Sequence, residues 1–287
     1  MSDLPVVAIT GANGYVGSVI IDALQKEAKV LGLVRSPKSA DQILWSFNAD
    51  PERLANELRD RGVTHLIHAA WDMKANSIKE LDRTCVMGSH ALFAAARSAG
   101  VQGLTFISSI SAFDGARSAY GRSKVAVERM ALQADGIVLR IGLVYGERDG
   151  GMFGNLRRVV RSSHFVPMIG DGKTPQYLLH ERALAHVVRC AVRGDFAGEN
   201  TLITVAQPEA VRFRNLLLHI AAEEGRSVSL IPVPWPIIFV ALWSAEHLGL
   251  GSNFRSDSVL SFVYQDIAPD FSQMRLHGID PTRFGTI

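Results

Sequence analysis

The sequence predicts an α/β protein built on a doubly wound parallel sheet, with a smaller C-terminal lobe. Three observations carry this. A short apolar run opens the chain and passes through a glycine turn into a segment of helical periodicity. Apolar runs then alternate with helical segments as far as Arg140, the pattern of βα units in a parallel sheet. Beyond Arg140 that alternation weakens and glycine-marked loops take over.

The opening stretch is Val6-Val7-Ala8-Ile9-Thr10, followed by Gly11-Ala12-Asn13-Gly14-Tyr15-Val16-Gly17. Apolar residues at Val16, Val19, Ile20, Ala23 and Leu24 fit one face of a helix. Strand, tight turn and helix in this order are the setting in which a glycine triplet signals dinucleotide binding. Gly11 permits the turn, Gly14 lets backbone N–H groups approach a pyrophosphate, and Gly17 lets the helix pack close to the strand. The phosphates would lie at the helix N-terminus, where free N–H groups and the helix dipole favour an anion. The fold is therefore read as Rossmann-type. Gly11, Asn13, Gly14, Tyr15, Val16 and Gly17 are its cofactor-turn candidates.

Residues 30–34 form the expected second strand, ending at Arg35-Ser36-Pro37-Lys38. No acid stands there to bind a ribose 2′-hydroxyl, whereas Arg35 suits a 2′-phosphate, so NADP is favoured over NAD. Residues 51–61 read as a helix with Leu54 and Leu58 inward, and residues 65–70 as the third strand and its end. Small Ala69 and Ala70 would let a cofactor lie against the backbone. His68 has no partner at ligand spacing, so no metal is expected.

Residues 81–98 read as a long helix stopped by Gly100, and residues 103–107 as the fourth strand, with Ser108 and Ser109 at its carboxyl end. A helix from Tyr120 to about residue 134 precedes the fifth strand, 137–140. Later, residues 182–193 and 213–224 look helical, with a strand at 202–205 between them. A soft boundary near Tyr145 divides a dinucleotide-binding domain, 1–145, from a mainly substrate-binding lobe, 146–287, parts of which return to the sheet.

Tyr120 and Lys124 are four apart and share one helical face. A nearby ammonium and a positive nicotinamide favour the phenolate, bringing the hydroxyl toward general-base range. Ser109 would hold a substrate oxygen beside Tyr120 while hydride moves at the adjacent carbon.

The chain has 287 residues, 47% hydrophobic and 20% charged, with a net charge of only +2. That balance implies no general attraction to nucleic acid or to an anionic membrane. Two cysteines, Cys85 and Cys190, and an N-terminus without a signal-peptide pattern point to a cytoplasmic protein. The most apolar stretch, 237–250, contains Glu246 and His247 and falls short of the ~20 residues a bilayer span needs. It is expected to be a buried amphipathic helix.

Taken together these motifs resemble the extended short-chain dehydrogenase/reductases of the NAD-dependent epimerase/dehydratase family. The resemblance rests on Thr10 to Gly17, His68-Ala69-Ala70, Ser108-Ser109, Tyr120-Gly121-Arg122-Ser123-Lys124 and Arg140-Ile141-Gly142-Leu143-Val144-Tyr145-Gly146. It continues through Ile169-Gly170-Asp171-Gly172 and His180, and faintly to Leu276 to Pro281. It implies that Ser109, Tyr120 and Lys124 are catalytic and that the C-terminal lobe binds the substrate, often a nucleotide sugar. With Arg35, Ala69 and Ala70, the residues Ser108, Tyr120 and Lys124 complete the candidate cofactor contacts.

The departures bear on substrate. Cys85 opens what is usually an Asn-Val-x-Gly-Thr motif, Leu143 replaces a frequent asparagine, Gln176 a phosphate-gripping arginine, and Ala183 a frequent aspartate. Arg157, Arg158 and Arg161 are the alternative phosphate grip, and Tyr145, Phe153 and Tyr177 the candidate apolar lining, with residues 146–154 as a lid. The expected activity is a nucleotide-sugar epimerase or dehydratase. The alternatives are a carbonyl reductase of a non-nucleotide substrate and a non-catalytic NAD(P)-sensing protein. Among partners, a small molecule is expected and a homodimer considered; nucleic acid and membrane are not expected.

Overall fold

The computed structural model describes residues 4–73, 75, 77–196, 201–250 and 254–285. Its thirteen described strands are β1 Val6–Thr10, β2 Lys29–Val34, β3 Gln42–Leu44, β4 His65–His68, β5 Gly103–Ser109, β6 Ile137–Ile141, β7 Leu143–Tyr145, β8 Phe165–Ile169, β9 Pro175–Gln176, β10 Leu178–His180, β11 Leu202–Val205, β12 Val211–Arg212 and β13 Ser229–Val233. The helices are α1 Tyr15–Leu24, α2 Pro51–Asp60, α3 Ile78–Leu81, α4 Met87–Ala99, α5 Ala119–Gln133, α6 Gly151–Ser162, α7 Glu181–Arg193, α8 Phe213–Glu223, α9 Trp235–His247, α10 Ser256–Val263 and α11 Ser272–Leu276.

Seven strands form one sheet in the order β11-β6-β5-β4-β1-β2-β3. Every pairing in it is parallel. The chain runs outward from β1 in one direction and, after β3, outward from β4 in the other. The reversal opens a crevice at the carboxyl ends of β1 and β4, where open α/β sheets bind ligands. This is the doubly wound parallel sheet that the alternating pattern predicts.

The two faces of the sheet carry separate cores. Ile20 and Leu24 of α1 and Leu184, Val187 and Val188 of α7 pack over Ile9, Ile67 and Leu139 on one side. Leu54 and Leu58 of α2, Leu92 of α4 and Val127 of α5 pack over Leu31, Leu66 and Phe106 on the other. Near-complete burial of both faces is why these strands read as continuous apolar runs. A third core lies around Phe153, Val160, Met168 and Leu216, joining α6 to α8 and the short strand pairs.

Three details depart from the sequence reading. β3 was not legible: its three residues lie on the sheet edge with one buried, too short for a periodicity to show. The helix expected over 81–98 is interrupted by a π-helical turn, Asp82–Val86, which leads into α4. The strand expected over 202–205 is β11, which returns to complete the sheet edge beside β6. The apolar stretch 237–250 does form a helix, but α9 has no buried residue. Ile237, Val240 and Trp243 are 60%, 57% and 47% exposed, because among the described residues nothing packs over that side.

Candidate active site

At the crevice, Gly11 adopts a φ of +71°, a region L side chains avoid. A Cβ there would lie 2.9 Å from the Ala70 nitrogen, so the turn and the end of β4 touch through bare backbone. The Gly14 N–H donates to the Gly11 carbonyl at 2.8 Å, and Gly14 then caps α1 in an extended conformation. No side chain caps that helix end and no acid stands in its first turn. Its N–H groups and positive dipole end are thus presented to the crevice, which fits the pyrophosphate of a dinucleotide. A Cβ on Gly17 would come within 2.1 Å of the Gly11 carbonyl oxygen, so α1 packs against the turn only because Gly17 has none. Asn13 and Gly14 are exposed at the turn, while Tyr15 and Val16 pack partly on the sheet core.

A buried polar chain fixes the floor of this crevice. The Thr10 hydroxyl oxygen accepts the N–H groups of Ala69 and Ala70 at 3.1 and 3.0 Å and bonds His68 Nδ1 at 2.7 Å. His68 Nε2 bonds the Ser89 hydroxyl at 2.8 Å. Burial pushes His68 down to about 3, so the ring is neutral and serves as a strut. Among the described residues no group of three His, Cys, Asp or Glu side chains is placed to hold a metal ion. Arg35 is exposed at the carboxyl end of β2, the sheet edge from which the glycine turn also rises.

The start of α5 is held from two sides. The Ser118 hydroxyl accepts the Gly121 N–H at 3.0 Å. The Asp257 carboxylate, from the first turn of α10, accepts the N–H groups of Ala119 and Tyr120 at 2.8 and 2.9 Å. Tyr120 and Lys124 then face Trp71, which follows Ala70 directly. The Tyr120 and Trp71 rings meet edge to face at 5.8 Å. The Lys124 ammonium lies 4.1 Å above the Trp71 ring and donates to the Ile107 carbonyl at 2.8 Å.

Burial pushes the Tyr120 hydroxyl up to about 12, against a hydrogen bond with Ser109 that works the other way. Lys124 is not among the groups that shift this hydroxyl. Burial lowers Lys124 itself to about 7, so its charge is only partly kept near neutrality. A Tyr120 hydroxyl that keeps its proton is suited to donate one. Ser109, Tyr120 and Lys124, as the sequence places them, come together at the carboxyl end of β5. Cys85, brought up by the π-helical turn, accepts the Asp72 N–H at 3.2 Å and is kept a thiol by burial.

Other candidates go elsewhere. The Ser108 hydroxyl is committed to α5, donating to Glu128 at 2.6 Å. Glu128 is in turn held by Arg140 through contacts at 2.8 and 2.6 Å. Tyr145, Phe153 and Tyr177 are only 7%, 1% and 7% exposed. Tyr145 and Phe153 belong to the lobe core, and the Tyr177 hydroxyl donates to the Ile267 carbonyl at 2.8 Å. These three aromatics pack cores instead of lining a site.

The basic face of α6 is also committed. Arg157 bonds the Gly146 carbonyl at 3.0 Å and Glu223 at 3.1 Å. Arg161 makes a bidentate pair with Glu224 at 2.6 and 2.9 Å and also bonds Asp149. The two arginines tie α6 to α8 and to the preceding loop. Arg158 is exposed and bonds Asn155 of its own helix at 2.8 Å. The expected lid is half helix, since α6 starts at Gly151, and the rest is pinned to α1 by an Arg148–Asp22 pair at 2.7 Å. The Tyr15 ring fills the space beside Gly150.

Sequence reasoning missed Trp71 and Asp257. Trp71 carried a usable signal, since it follows Ala70 at the strand end. Asp257 carried none, being 137 positions from the residue it holds.

A model of the NAD dependent epimerase/dehydratase family matches residues 7–206. The chain is 26% identical over 274 residues to the 4-hydroxy-2-methyl-3-oxo-4-farnesyl-3,4-dihydroquinoline-1-oxide ketoreductase of Stigmatella aurantiaca, covering 84% of this chain and 78% of that protein. It is 26% identical over 297 residues to a ceramide reductase of Caulobacter vibrioides, covering 98% and 91%. A UDP-glucose 4-epimerase of Thermotoga maritima, solved with UDP-glucose, superposes with a TM-score of 0.73 at 18% identity, over 96% of this chain and 93% of that one. At that identity the superposition shows the fold. The family pattern spans more than two-thirds of the sequence, from β1 through β11. The chain belongs to the NAD dependent epimerase/dehydratase family.

Proposed function

We propose that this NAD-dependent enzyme is a ketoreductase, converting a ketone to a secondary alcohol on a substrate that carries a long apolar chain. The observation that carries the reading is the sequestration of Arg157 and Arg161 by Asp149, Glu223 and Glu224. A nucleoside-diphosphate handle needs cations, and these two are already neutralised. The two curated relatives support it: by their names both are reductases, one of a farnesylated ring system and one of ceramide.

The glycine turn, Gly11 to Gly17, would hold a nicotinamide dinucleotide, which would supply hydride for the carbonyl carbon. The chain's own residues handle the oxygen and the proton. Ser109 orients the carbonyl oxygen. Tyr120, holding its proton to about 12, gives it to that oxygen as the carbon is reduced. The bond formed is O–H on the product, and Tyr120 is left as a phenolate, which the Lys124 ammonium stabilises. Arg35 gives the site its proposed preference for a 2′-phosphate, hence NADP. Residues 146–287 furnish most of the substrate side.

A nucleotide-sugar epimerase or dehydratase is the second reading, favoured by the superposition on the UDP-glucose epimerase and by the exposure of Arg158. Cofactor oxidation with long-chain ketones, set against conversion of UDP- and dTDP-sugars, separates the two.

A further inference from the structure

Helix α9 is turned inside out. Its outward stripe is Ile237, Val240, Ala241 and, beyond its end, Leu248, a helical spacing of apolar residues exposed to solvent. Residues 227–245 contain no Asp, Glu, Lys or Arg. The one acid of the helix, Glu246, is turned inward, where it accepts from the Ser256 N–H and pairs with Arg255, both at 2.9 Å. At thirteen residues the helix is about 20 Å long, short of the ~30 Å of a bilayer core. Among the described residues no helix is long and apolar enough to cross a membrane.

This helix is joined to the candidate active site. Glu246 caps α10, and Asp257 of α10 holds the Tyr120 N–H. The same Arg255 bonds the carbonyls of Met73 and Ala75, in the segment that follows Trp71. Helix α9 is thus tied through α10 to the turn that carries Tyr120.

The geometry points to α9 as a bilayer-surface contact: it lies in the lipid interface on its Ile237–Val240 face, so that an apolar-chain ketone passes from the membrane to Tyr120. This rests on the ketoreductase reading, because such a substrate resides in the bilayer and does not diffuse freely in water. Two features favour lipid over a second copy of the chain. The stretch 227–245 is uncharged, and it carries Trp243 and Trp235, residues that settle at membrane–water boundaries. It revises the expectation, drawn from net charge and from the shortness of the apolar stretch 237–250, that no membrane is involved.

The test is cosedimentation of the full chain with phosphatidylcholine vesicles, without ketone or cofactor. The chain should sediment with vesicles, its tryptophan emission should shift to the blue, and binding should survive high salt because it is apolar. Ile237→Glu with Val240→Glu should lower the partition coefficient about tenfold or more, by taking two apolar side chains out of the lipid. Circular dichroism checks that this variant is folded. Trp243→Phe should keep sedimentation and lose most of the blue shift. Absence of vesicle binding overturns the inference, as does binding unchanged in the double variant. So does a dimer that the double variant makes monomeric, with no vesicle binding. Ketone reduction in detergent without vesicle binding overturns this inference and leaves the ketoreductase reading. Vesicle binding without ketone reduction does the reverse.

Discussion

Asp257 holds the backbone N–H of Tyr120 at 2.9 Å, across 137 positions of sequence. The carboxylate satisfies two otherwise open N–H groups at the head of α5 and places a negative charge at the helix's positive end. Asp257→Ala should cost about 1–2 kcal/mol of stability, the usual loss of a helix cap. It should lower kcat more than it raises the KM for ketone, because the Tyr120 hydroxyl is displaced while the apolar contacts of the substrate remain. Steady-state kinetics with thermal melts check both. Equal stability and equal kcat would show that the contact positions nothing.

Lys124 is a stability cost kept for chemistry. Its folded value is about 7, while its ordinary value is 10.5. Between those values the unfolded chain binds more protons, so stability rises with pH. Below about 7 the ammonium is buried at full cost, and above 10.5 both states are neutral and the cost is gone. Lys124→Met should therefore raise Tm, and by more at about pH 6 than at about pH 9, while turnover is lost. A gain in Tm that is the same at both pH values would contradict this.

Gly17→Ala should destabilise the protein, since the added Cβ would meet the Gly11 carbonyl oxygen at 2.1 Å. Either α1 moves off the turn or the turn opens. Cofactor affinity, measured by calorimetry on the folded fraction, should fall with Tm. Unchanged affinity would mean that the turn does not bind the cofactor.

The sheet was legible because its signals are local. Residues 6–17 show strand, glycine turn and helix in one line, and the later strands of the sheet other than β3 are apolar runs because both faces are covered. The Tyr120–Lys124 pair was legible because four residues make about one helical turn. What failed was whatever depends on distant partners. Arg157 and Arg161 read as available cations, but Glu223 and Glu224 lie on another helix and neutralise them. Tyr145, Phe153 and Tyr177 have the chemistry of site residues, and only the packing of the lobe shows them to be core. The burial of α9 was inferred from its composition, yet composition does not say whether a neighbour covers a face.

Arg35 should set the cofactor preference. The wild type is expected to bind NADP more tightly than NAD, and Arg35→Ala should lose that ratio by about tenfold or more, as a charge-assisted phosphate contact is removed. Binding titrations with both cofactors decide it. A wild type that prefers NAD, with a variant of the same ratio, would refute the assignment.

Cofactor oxidation with a long-chain ketone, followed in wild type and in Tyr120→Phe, decides whether this chain is a ketoreductase. Turnover is expected on the ketone, none on UDP- or dTDP-sugars, and a loss of ~10²–10⁴-fold in kcat in the variant with little change in cofactor affinity. Full turnover in Tyr120→Phe, or conversion of a nucleotide sugar with no reduction of any ketone, would contradict it.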